Sequence, residues 1–416
     1  MAGDLIFGLD IGTTKVCCVV GEPNDEGGID IVGIGSHPSQ GLRRGAVVNI
    51  EQTVDSIKRA VEEAELMAGC EITEVYVGIA GGHIEGRNSH GVIGIKKRGE
   101  SRSVVIPSDV DRVLEAARAL AIPLDREVIH TIPQEFIVDE QKGIQDPVGM
   151  SGVRLEAKVH IVTGAASSAQ NLIHCAHLAD LDVCDIVLES VASADAVLTS
   201  EEKELGVALL DFGGGTVDMA IFSQNSIRHT SVLALGGTHL TNDVAVGLRT
   251  PTASAEIIKK SYGCCLTSLV EDDQVIEVPS VGDRPSRLAD RRVLADILER
   301  RVEEIMMLIN RELIKSGCDD QLNSGVVITG GAALLEGVPE LAEQVFDLPV
   351  RRGYPREIGG LKDVINDPKY ATAVGLVLYG LKKERVVRSE KEFRRRGGPK
   401  FSHVLDRMKS WFKEIV

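Results

Sequence analysis

Two segments of this chain, 201 residues apart, carry nearly the same arrangement of aspartate, glycine and threonine. Residues 10–15 and residues 211–216 each begin with an Asp after an apolar run, continue with Gly and Thr, and lead into a second apolar run. An apolar strand, a glycine-containing turn and a second strand predict a β-hairpin in each place. A carboxylate at the entrance of a turn rich in glycine N–H groups suits a metal-bound phosphate. Two such loops facing each other would hold a nucleoside triphosphate from both sides.

The elements that position these loops follow from the apolar pattern. The two hairpins extend over residues 5–20 and 207–222. A further strand, Val326–Thr329, ends at Gly330 and Gly331, and a helix is expected directly after this turn. The repetition predicts an α/β protein with two similar halves.

A third element that could face the same ligand is a helix predicted over Ser254–Tyr262. Glu256 and Lys259 are three residues apart and therefore lie on one face of this helix. They could contact a nucleotide or form an ordinary surface ion pair, and the sequence leaves both interpretations open. The chain has no Walker P-loop and no G-x-G-x-x-G motif opening a helix, so two common nucleotide-binding motifs are absent from it.

The composition limits the class of protein. A length of 416 residues suggests two to four domains, and the net charge of −16 argues against a nucleic-acid-binding protein. The eight cysteines form no C-x-x-C pair, which predicts reduced core residues of a cytoplasmic protein and not a metal site. The sequence predicts neither a signal peptide nor a transmembrane helix.

The remaining pattern predicts an insertion, a long helix and a linker. Residues 83–163 carry one helical pattern among three or four strand-like runs, which suits a small α+β insert. Residues 265–278 are expected to be rich in strands, and Arg292–Ser316 to form a long amphipathic helix. A last apolar helix is predicted over Thr372–Tyr379, and a flexible charged linker over residues 382–400.

The C-terminal segment has the pattern of an amphipathic helix. Its apolar stripe consists of Phe401, Val404, Leu405, Met408, Trp411, Phe412 and Ile415. Residues 381–416 have 12 Lys/Arg and 5 Asp/Glu, a charge of +7, which would attract anionic lipids. The segment is too short to span a bilayer but could lie in its interface; docking on the protein or on a partner stays open. A linker that reaches about 60 Å when extended favours the membrane.

Together these motifs resemble the FtsA family, the actin-like proteins of bacterial cell division. The similarity covers essentially the whole chain and is carried by residues 8–15, 81–91, 210–218 and 329–333 and by the amphipathic C-terminus. The resemblance implies an α/β, actin-like two-lobed ATPase fold of two RNase H-like domains, as in Hsp70 and sugar kinases. It also implies that the α+β insert is subdomain 1C of the first lobe.

The resemblance implies a division of the chain into subdomains. The implied division is 1–82 and 164–205 for subdomain 1A, 83–163 for subdomain 1C, 206–236 and 325–381 for subdomain 2A, 237–324 for subdomain 2B, 382–400 for the linker and 401–416 for a membrane-targeting helix.

The resemblance also implies which residues bind ATP and Mg²⁺. The implied phosphate-binding residues are Gly12, Thr13, Thr14 and Lys15 in the first loop and Gly213, Gly214, Gly215 and Thr216 in the second. Asp10 and Asp211 would hold Mg²⁺ through water, because this small cation prefers oxygen ligands and keeps several waters. The residues implied around the ribose and the adenine are Glu256, Lys259, Gly237, Gly330 and Gly331.

Fast ATP hydrolysis is not expected. Phosphoryl transfer to water needs a group that orients the attacking water. The candidate is Glu189, which follows a predicted strand, although the sequence favours a solvated carboxylate at a helix entry for this residue. We therefore expect at most a slow ATPase, in which ATP acts as a conformational or polymerisation ligand.

The resemblance implies several partners. Subdomain 2B of FtsA proteins binds the C-terminal tail of the tubulin-like division protein FtsZ, which makes Arg287, Arg300 and Arg301 candidates for that contact. Each arginine could also belong to a solvated helix with acidic partners three or four residues away. The family further implies filaments of the protein itself, contacts of subdomain 1C with other division proteins, and peripheral attachment to the cytoplasmic face of the inner membrane at the division septum.

Two other interpretations stay open. One is another actin-like assembly protein such as the pilus scaffold PilM, against which the amphipathic C-terminus argues. The other is a small-molecule kinase of the same fold, for which no catalytic Asp loop with a substrate pocket is evident.

Overall fold

The structure is a computed structural model that describes residues 5–96, 103–119, 122–282 and 284–395, with side chains described to residue 385. Its strands are β1 (Ile6–Ile11), β2 (Lys15–Pro23), β3 (Ile29–Pro38), β4 (Leu42–Arg43), β5 (Ala46–Val47), β6 (Glu74–Ile79), β7 (Glu85–Gly94), β8 (Arg126–Val138), β9 (Gln141–Ile144), β10 (Arg154–Ala165), β11 (Asp182–Leu188), β12 (Val207–Phe212), β13 (Val217–Ser223), β14 (Ser226–Leu233), β15 (Val275–Val278), β16 (Arg287–Asp290), β17 (Val326–Thr329), β18 (Val350–Arg352) and β19 (Ile358–Gly360). Its α-helices are α1 (Ile50–Ala68), α2 (Pro107–Arg118), α3 (Ala166–Leu178), α4 (Glu189–Val197), α5 (Ser200–Leu205), α6 (Gly237–Gly247), α7 (Thr252–Tyr262), α8 (Arg291–Ser316), α9 (Val338–Phe346), α10 (Lys362–Ile365) and α11 (Ala371–Arg395).

The first-lobe sheet has the strand order β11-β6-β1-β2-β3-β19. Strands β1 and β2 form the predicted antiparallel hairpin, with Asp10 opposite Cys17, and β6 lies parallel to β1 on its other side. Helix α1 packs on one face of this sheet and α11 on the other, which is why both hairpin strands are apolar along their length. The first Asp-Gly loop therefore begins at the end of β1, a strand that is buried on both faces.

The second-lobe sheet repeats this arrangement, with the order β14-β13-β12-β17-β18. Strand β12 is antiparallel to β13, with Asp211 opposite Asp218, and parallel to β17, where Thr329 lies beside Asp211. The second hairpin and the strand before Gly330 are thus confirmed. The start predicted for the next helix is wrong, because residues 331–334 form a 3-10 turn and α9 begins only after Gly337.

Helices α4 and α11 lie between the two sheets and join their cores. Ile6 of the first sheet and Val207 and Leu209 of the second belong to one buried cluster with residues of both helices. Gly375 of α11 permits the close crossing, because a Cβ at this position would overlap the carbonyl oxygen of Ala192 in α4. The two Asp-Gly loops are therefore attached to one continuous core.

The insert, residues 85–165, forms a four-stranded antiparallel sheet in the described part of the chain. Its strand order is β7-β10-β8-β9, and α2 packs against β7 and β10. Leu155, Ala157, Val159 and Ile161 of β10 alternate along the strand and are buried in one cluster. One helix on one sheet agrees with the predicted α+β insert.

The region between β14 and β17 contains helices α6 to α8 and the hairpin β15–β16. Helix α8 begins one residue earlier than predicted, at Arg291. The strand-rich prediction for residues 265–278 is largely wrong, because the described backbone there has a 3-10 turn, Thr267–Leu269, and only the strand Val275–Val278. Cys264 and Cys265 are fully buried in an irregular segment, and burial of a short apolar run does not by itself make a strand.

The last described helix overturns part of the linker prediction. Helix α11 continues to Arg395, so residues 382–395 are helical. Lys, Glu and Arg dominate this stretch and favour helix, whereas Gly and Pro come only at residues 397–399. The chain between α11 and residue 401 reaches about 20 Å when extended, not about 60 Å. The predicted amphipathic segment, residues 401–416, lies outside the described residues.

Among the described helices, none combines the length and the apolar character that crossing a membrane requires.

Candidate functional site

The first Asp-Gly loop joins β1 to β2 and is closed by a hydrogen bond from the Gly12 N–H to the Lys15 carbonyl, at 3.0 Å. Asp10 is 6% exposed, and its Oδ2 lies 3.1 Å from Lys15 Nζ. Burial alone would lower the pKa of Lys15, but the Asp10 carboxylate, together with Cys17 and Tyr370, outweighs this effect and raises the pKa. Lys15 therefore carries a positive charge at the loop.

The second Asp-Gly loop joins β12 to β13 and is closed in the same way, from the Gly213 N–H to the Thr216 carbonyl at 3.0 Å. Asp211 Oδ2 accepts hydrogen bonds from Ser193 Oγ at 2.5 Å and from Thr372 Oγ1 at 3.0 Å. Burial raises the pKa of Asp211, and these two hydroxyl groups partly offset the rise. Because the hydroxyls belong to α4 and α11, both central helices fix this carboxylate.

The two loops lie against each other. A Cβ added to Gly214 would lie 3.1 Å from Thr14 Cβ, and one added to Gly215 would lie 2.9 Å from Thr13 Cβ. Glycine is therefore needed at both positions for the loops to approach this closely. The structure brings together the two loops at corresponding strand ends, although they are 201 residues apart in the sequence.

Four acidic side chains converge beside the loops: Asp10, Asp211, Asp218 and Glu189. Asp218 is 2% exposed, and its Oδ1 has no hydrogen-bond partner among the described residues. Burial, together with the nearby charges of Asp211 and Asp10, raises the pKa of Asp218 to about 8. An unpartnered carboxylate oxygen among other carboxylates fits a hard cation such as Mg²⁺, which takes oxygen ligands.

Glu189 is the first residue of α4 and lies inside this acidic cluster. It is half-buried, and a Cβ on Gly78 would lie 3.2 Å from its Cγ. Burial and the surrounding aspartates raise the pKa of Glu189 well above its usual range. The location is that of a cleft residue and not of a solvated helix entry, and its role in hydrolysis stays a prediction.

Asp218 was not singled out from the sequence. The pairing of the hairpin strands could have identified it. Asp218 lies directly opposite Asp211, at the position that Cys17 occupies opposite Asp10 in the first hairpin. Equal spacing from the turn in a confidently predicted hairpin could have identified it.

The Glu256–Lys259 pair lies beside the start of α6. Lys259 Nζ is 2.7 Å from Glu256 Oε2, 2.8 Å from Thr241 Oγ1 and 3.1 Å from the Gly237 carbonyl oxygen. Gly237 in turn donates its N–H to the carbonyl of Gly213 in the second loop, at 3.0 Å. The predicted ion pair therefore forms, and it forms next to the loop and not on a remote surface.

Gly330 and Gly331 follow β17 next to the second loop. Gly330 has a φ of 87°, and a Cβ at this position would collide with the Asp211 carboxylate and the Phe212 carbonyl. Ala332, directly after this pair, lies 3.6 Å from the position that a Cβ of Gly237 would take. The predicted glycines of α6 and of the β17 turn thus border the same space.

The three candidate arginines of the second lobe differ in their surroundings. Arg287 donates to the carbonyl of Leu248 at 2.7 Å. Arg300 is 77% exposed and pairs with Asp296 of its own helix at 3.0 Å. Arg301 is 28% exposed and pairs with Asp243 of α6 and with Glu304. The acidic partners considered from the sequence are therefore present for Arg300 and Arg301.

Comparison with family models gives two matches. A model described as Cell division protein FtsA matches residues 208–375, and one described as SHS2 domain inserted in FTSA matches residues 81–163. The second match covers the insert.

Comparison with solved structures shows the fold. The chain is similar to a chain of a PilM-PilN type IV pilus biogenesis complex, with a TM-score of 0.65 at 16% identity, over 90% of this chain and 98% of that one. It is also similar to MreB 5 of Spiroplasma citri bound to AMPPNP, with a TM-score of 0.57 at 14% identity, over 93% and 98%. The architecture is thus the expected actin-like, two-lobed α/β fold with an SHS2 insert, and these low identities show the fold alone.

Comparison with curated proteins gives much higher identities. The chain is 50% identical to Cell division protein FtsA of Pseudomonas aeruginosa over 99% of this chain and 98% of that protein. It is 40% identical to Cell division protein FtsA of Escherichia coli K12 over 99% and 98%. Similarity at this level over the whole length decides between the alternatives left open by the sequence. The chain belongs to the FtsA family of actin-like cell division proteins.

Proposed function

We propose that this protein binds ATP with Mg²⁺ between its lobes and, in that state, links division filaments to the membrane. The observation that carries the proposal is the contact between two identically closed Asp-Gly loops beside a buried acidic cluster. Backbone N–H groups and Lys15 supply the positive side of such a site, and the carboxylates supply the cation ligands. The structures of MreB5 bound to AMPPNP and to ADP, which share this fold, support it.

The positions of the residues determine which part of Mg-ATP each is proposed to contact. The two loops would hold the phosphates, and Asp10 and Asp211 would hold Mg²⁺ through water, with Asp218 as a further carboxylate close by. Glu256, Lys259, Gly237, Gly330 and Gly331 border the space proposed for ribose and adenine. A bound Mg²⁺ would supply charge that relieves the repulsion among the carboxylates.

Slow hydrolysis is proposed because the cluster offers one candidate for orienting water, Glu189. Its raised pKa reflects burial among three aspartates, and a bound cation would favour the charged form that can accept a hydrogen bond from water. Lys15 lies at the same site, but its raised pKa keeps it protonated and it offers no base, so ATP is proposed to act mainly as a conformational ligand.

Peripheral attachment to the cytoplasmic face of the inner membrane, at the septum, is proposed for the C-terminal segment. The stripe from Phe401 to Ile415 and the charge of +7 over residues 381–416 support it, because an apolar face and basic residues together bind anionic lipid surfaces. One such helix binds reversibly, and a filament of many copies would bind far more tightly.

Partner binding is proposed through three surfaces. Subdomain 2B, with Arg287, Arg300 and Arg301, would bind the C-terminal tail of FtsZ. The insert would bind other division proteins, and copies of the chain would assemble into filaments. A filament of this fold exists in MamK, whose structure has a TM-score of 0.50 with this chain at 10% identity.

Two measurements test the proposal. Isothermal titration of the full-length protein with Mg-ATP should give one site per chain. Electron microscopy on anionic lipid monolayers should then show filaments with Mg-ATP and few without it. Failure of folded protein to bind any adenine nucleotide would contradict the nucleotide site, and nucleotide-independent filaments would contradict its role in assembly.

A further inference from the structure

Strand β8 of the insert contacts both lobes. It packs near β11 of the first-lobe sheet and β14 of the second-lobe sheet. His130 makes a hydrogen bond to the first lobe, and Gln134 makes one to the second. Four residues of strand correspond to about 13 Å. One short piece of the insert therefore connects the two lobes.

The first-lobe anchor is the hydrogen bond from the Leu188 backbone N–H to His130 Nε2, at 2.9 Å. Leu188 is fully buried and ends β11, the edge strand of its sheet. A buried N–H on the outer side of an edge strand has no neighbouring strand to accept its hydrogen bond and needs another acceptor. His130 supplies that acceptor to the residue directly before Glu189.

The second-lobe anchor contains two amide side chains of the insert, beside a bond of His160 to Thr230 and one from Ser226 to the Gln134 carbonyl, each at 2.8 Å. Gln134 Nε2 donates to the Ile227 carbonyl at 2.7 Å, and Asn88 Nδ2 donates to the Arg228 carbonyl at 3.1 Å. The two amides also bond to each other, from Gln134 Nε2 to Asn88 Oδ1 at 3.1 Å. Both carbonyls belong to β14, which pairs with the strand that carries Asp218.

Two irregularities in β8 direct these side chains. The pairing of β8 with β10 shifts register twice, where Ile129 and Gln134 have no partner in the ladder. A bulge re-aims a side chain away from the regular alternation of a strand. Gln134 lies in one bulge, and His130 directly follows the other. The anchors therefore depend on specific departures from ideal strand geometry.

We propose that Asn88, His130 and Gln134, with the β8 backbone between them, form an insert bridge that holds the lobes at one separation and couples the insert to the cleft. A hydrogen bond tolerates only a few tenths of an ångström of stretch, so movement of one lobe relative to the other breaks one anchor. The chain continues from β6 into β7 and from β10 into α3, so the insert stays attached to the first lobe. The state of the cleft thereby determines whether the insert is also bonded to the second lobe. This inference rests on the proposed function only in taking the cleft as a nucleotide site.

The first test compares removing side-chain bonds at one end with removing them at both ends. His130→Leu removes the bond to Leu188 of the first lobe. The pair Asn88→Ala with Gln134→Ala removes the amide bonds to the second lobe and leaves those of His160 and of the Gln134 carbonyl. Each is expected to raise the dissociation rate of a fluorescent ATP analogue about 2- to 12-fold, the equivalent of one net hydrogen bond. Because both sets of bonds would act through one bridge, the triple variant should show clearly less than the product of the two separate effects. Multiplicative effects would overturn the proposal.

The second test needs no nucleotide. Removing the amide bonds of the second-lobe anchor should raise the rate of backbone N–H hydrogen exchange at residues 182–190, which lie in the first lobe at the opposite end of the bridge. Unchanged exchange there in the Asn88→Ala/Gln134→Ala variant would overturn the proposal, even where the wild-type protein failed to bind ATP. Failure of the bridge and failure of the nucleotide site are therefore distinguishable.

Controls separate the bridge from general damage to the insert. His130→Gln keeps an acceptor near the Nε2 position and should restore the wild-type exchange and dissociation rate. His90→Leu on β7 and Gln141→Leu on β9 change the same residue types in the insert, at side chains with no described bond to either lobe. Both should behave as wild type; an effect equal to that of the anchor variants would overturn the proposal.

Discussion

Gly214 of the second loop lies so close to Thr14 of the first that a Cβ on Gly214 would be 3.1 Å from Thr14 Cβ. The contact joins two segments that occupy the same position in the two lobes, each closed by the same backbone hydrogen bond. The close approach of the lobes at the proposed nucleotide site therefore depends on the absence of side chains at Gly214 and, opposite Thr13, at Gly215.

Gly214→Ala should weaken Mg-ATP binding by about 5- to 160-fold, because the added methyl group forces the loops apart at an overpacking cost of about 1–3 kcal/mol. Isothermal titration measures the change. Gly94→Ala is the matched control, since a Cβ there meets nothing within 4 Å. Equal affinities for both variants would show that the loops do not bind the phosphates together.

Glu189→Gln should lower the rate of ATP hydrolysis by about 100-fold or more while leaving affinity within a few-fold, because loss of a positioned base removes a contribution of about 10²–10⁴. A coupled assay of phosphate release measures the rate. Glu201→Gln on the exposed helix α5 is the control. Undiminished hydrolysis would remove Glu189 from the mechanism.

His130 and His160 should each lower the free energy of unfolding as the pH drops from about 6.5 to about 4. Burial lowers the pKa of both side chains to about 4, whereas an unfolded His titrates near 6.5. In this window each of the two histidines binds a proton in the unfolded chain and not in the folded one, so each destabilises the fold with falling pH. The raised pKa values of Asp218, Asp211 and Glu189 act in the opposite direction, so the contribution of His130 is read from the difference between the wild type and a His130 variant. His130→Gln should reduce the proton uptake on unfolding by about one at most. Urea unfolding of the wild type and of His130→Gln at pH 7, 6 and 5 measures how the free energy of unfolding depends on pH. The same dependence in both proteins would contradict the prediction.

Arg300→Glu should reduce affinity for an FtsZ tail peptide by about 2- to 10-fold without loss of stability, because Arg300 is exposed and pairs only within its own helix among the contacts described. Arg301→Glu is a poorer test, since Arg301 links α8 to Asp243 of α6. Arg59→Glu on α1 is the control, because Arg59 has a similar exposed pair with Asp55. Fluorescence anisotropy with the labelled peptide separates them; equal affinities for the two Glu variants would exclude Arg300.

Trp411→Glu should abolish co-sedimentation with anionic liposomes and leave ATP affinity unchanged, because it places a charge in the apolar stripe. Trp411→Phe keeps the stripe apolar and should sediment nearly as well as wild type. Co-sedimentation of the Glu variant at the wild-type level would contradict membrane binding by this segment.

The sequence was sufficient to predict the two hairpins, because Asp, Gly and apolar runs repeat at the same spacing around residues 10 and 211. It was not sufficient for Asp218, whose importance arises from cross-strand register. Nor was it sufficient for β14, in which four polar residues in a row, 228–231, interrupt any alternation of polar and apolar side chains. The contact of Gly214 with Thr14 depends on the packing of α4 and α11 between the sheets. No local pattern encodes such a contact.

The linker prediction failed for a different reason. Charged residues over 382–395 were interpreted as a solvated connection, although Lys, Glu and Arg also favour helix, and α11 had already begun on an apolar stretch. A helix that starts buried and continues into solvent keeps its hydrogen-bond ladder, so the change in composition did not mark its end.

Helix α11 starts at the carboxylate of Asp211, through Thr372, and runs for 25 residues, a rod of about 37 Å. The point from which the C-terminal segment departs is thereby fixed in the same frame as the proposed nucleotide site. The chain from Arg395 to residue 401 can reach at most about 20 Å. In a copy bound to lipid through residues 401–416, as proposed, this short connection would restrict both the height of the two lobes above the bilayer and their orientation.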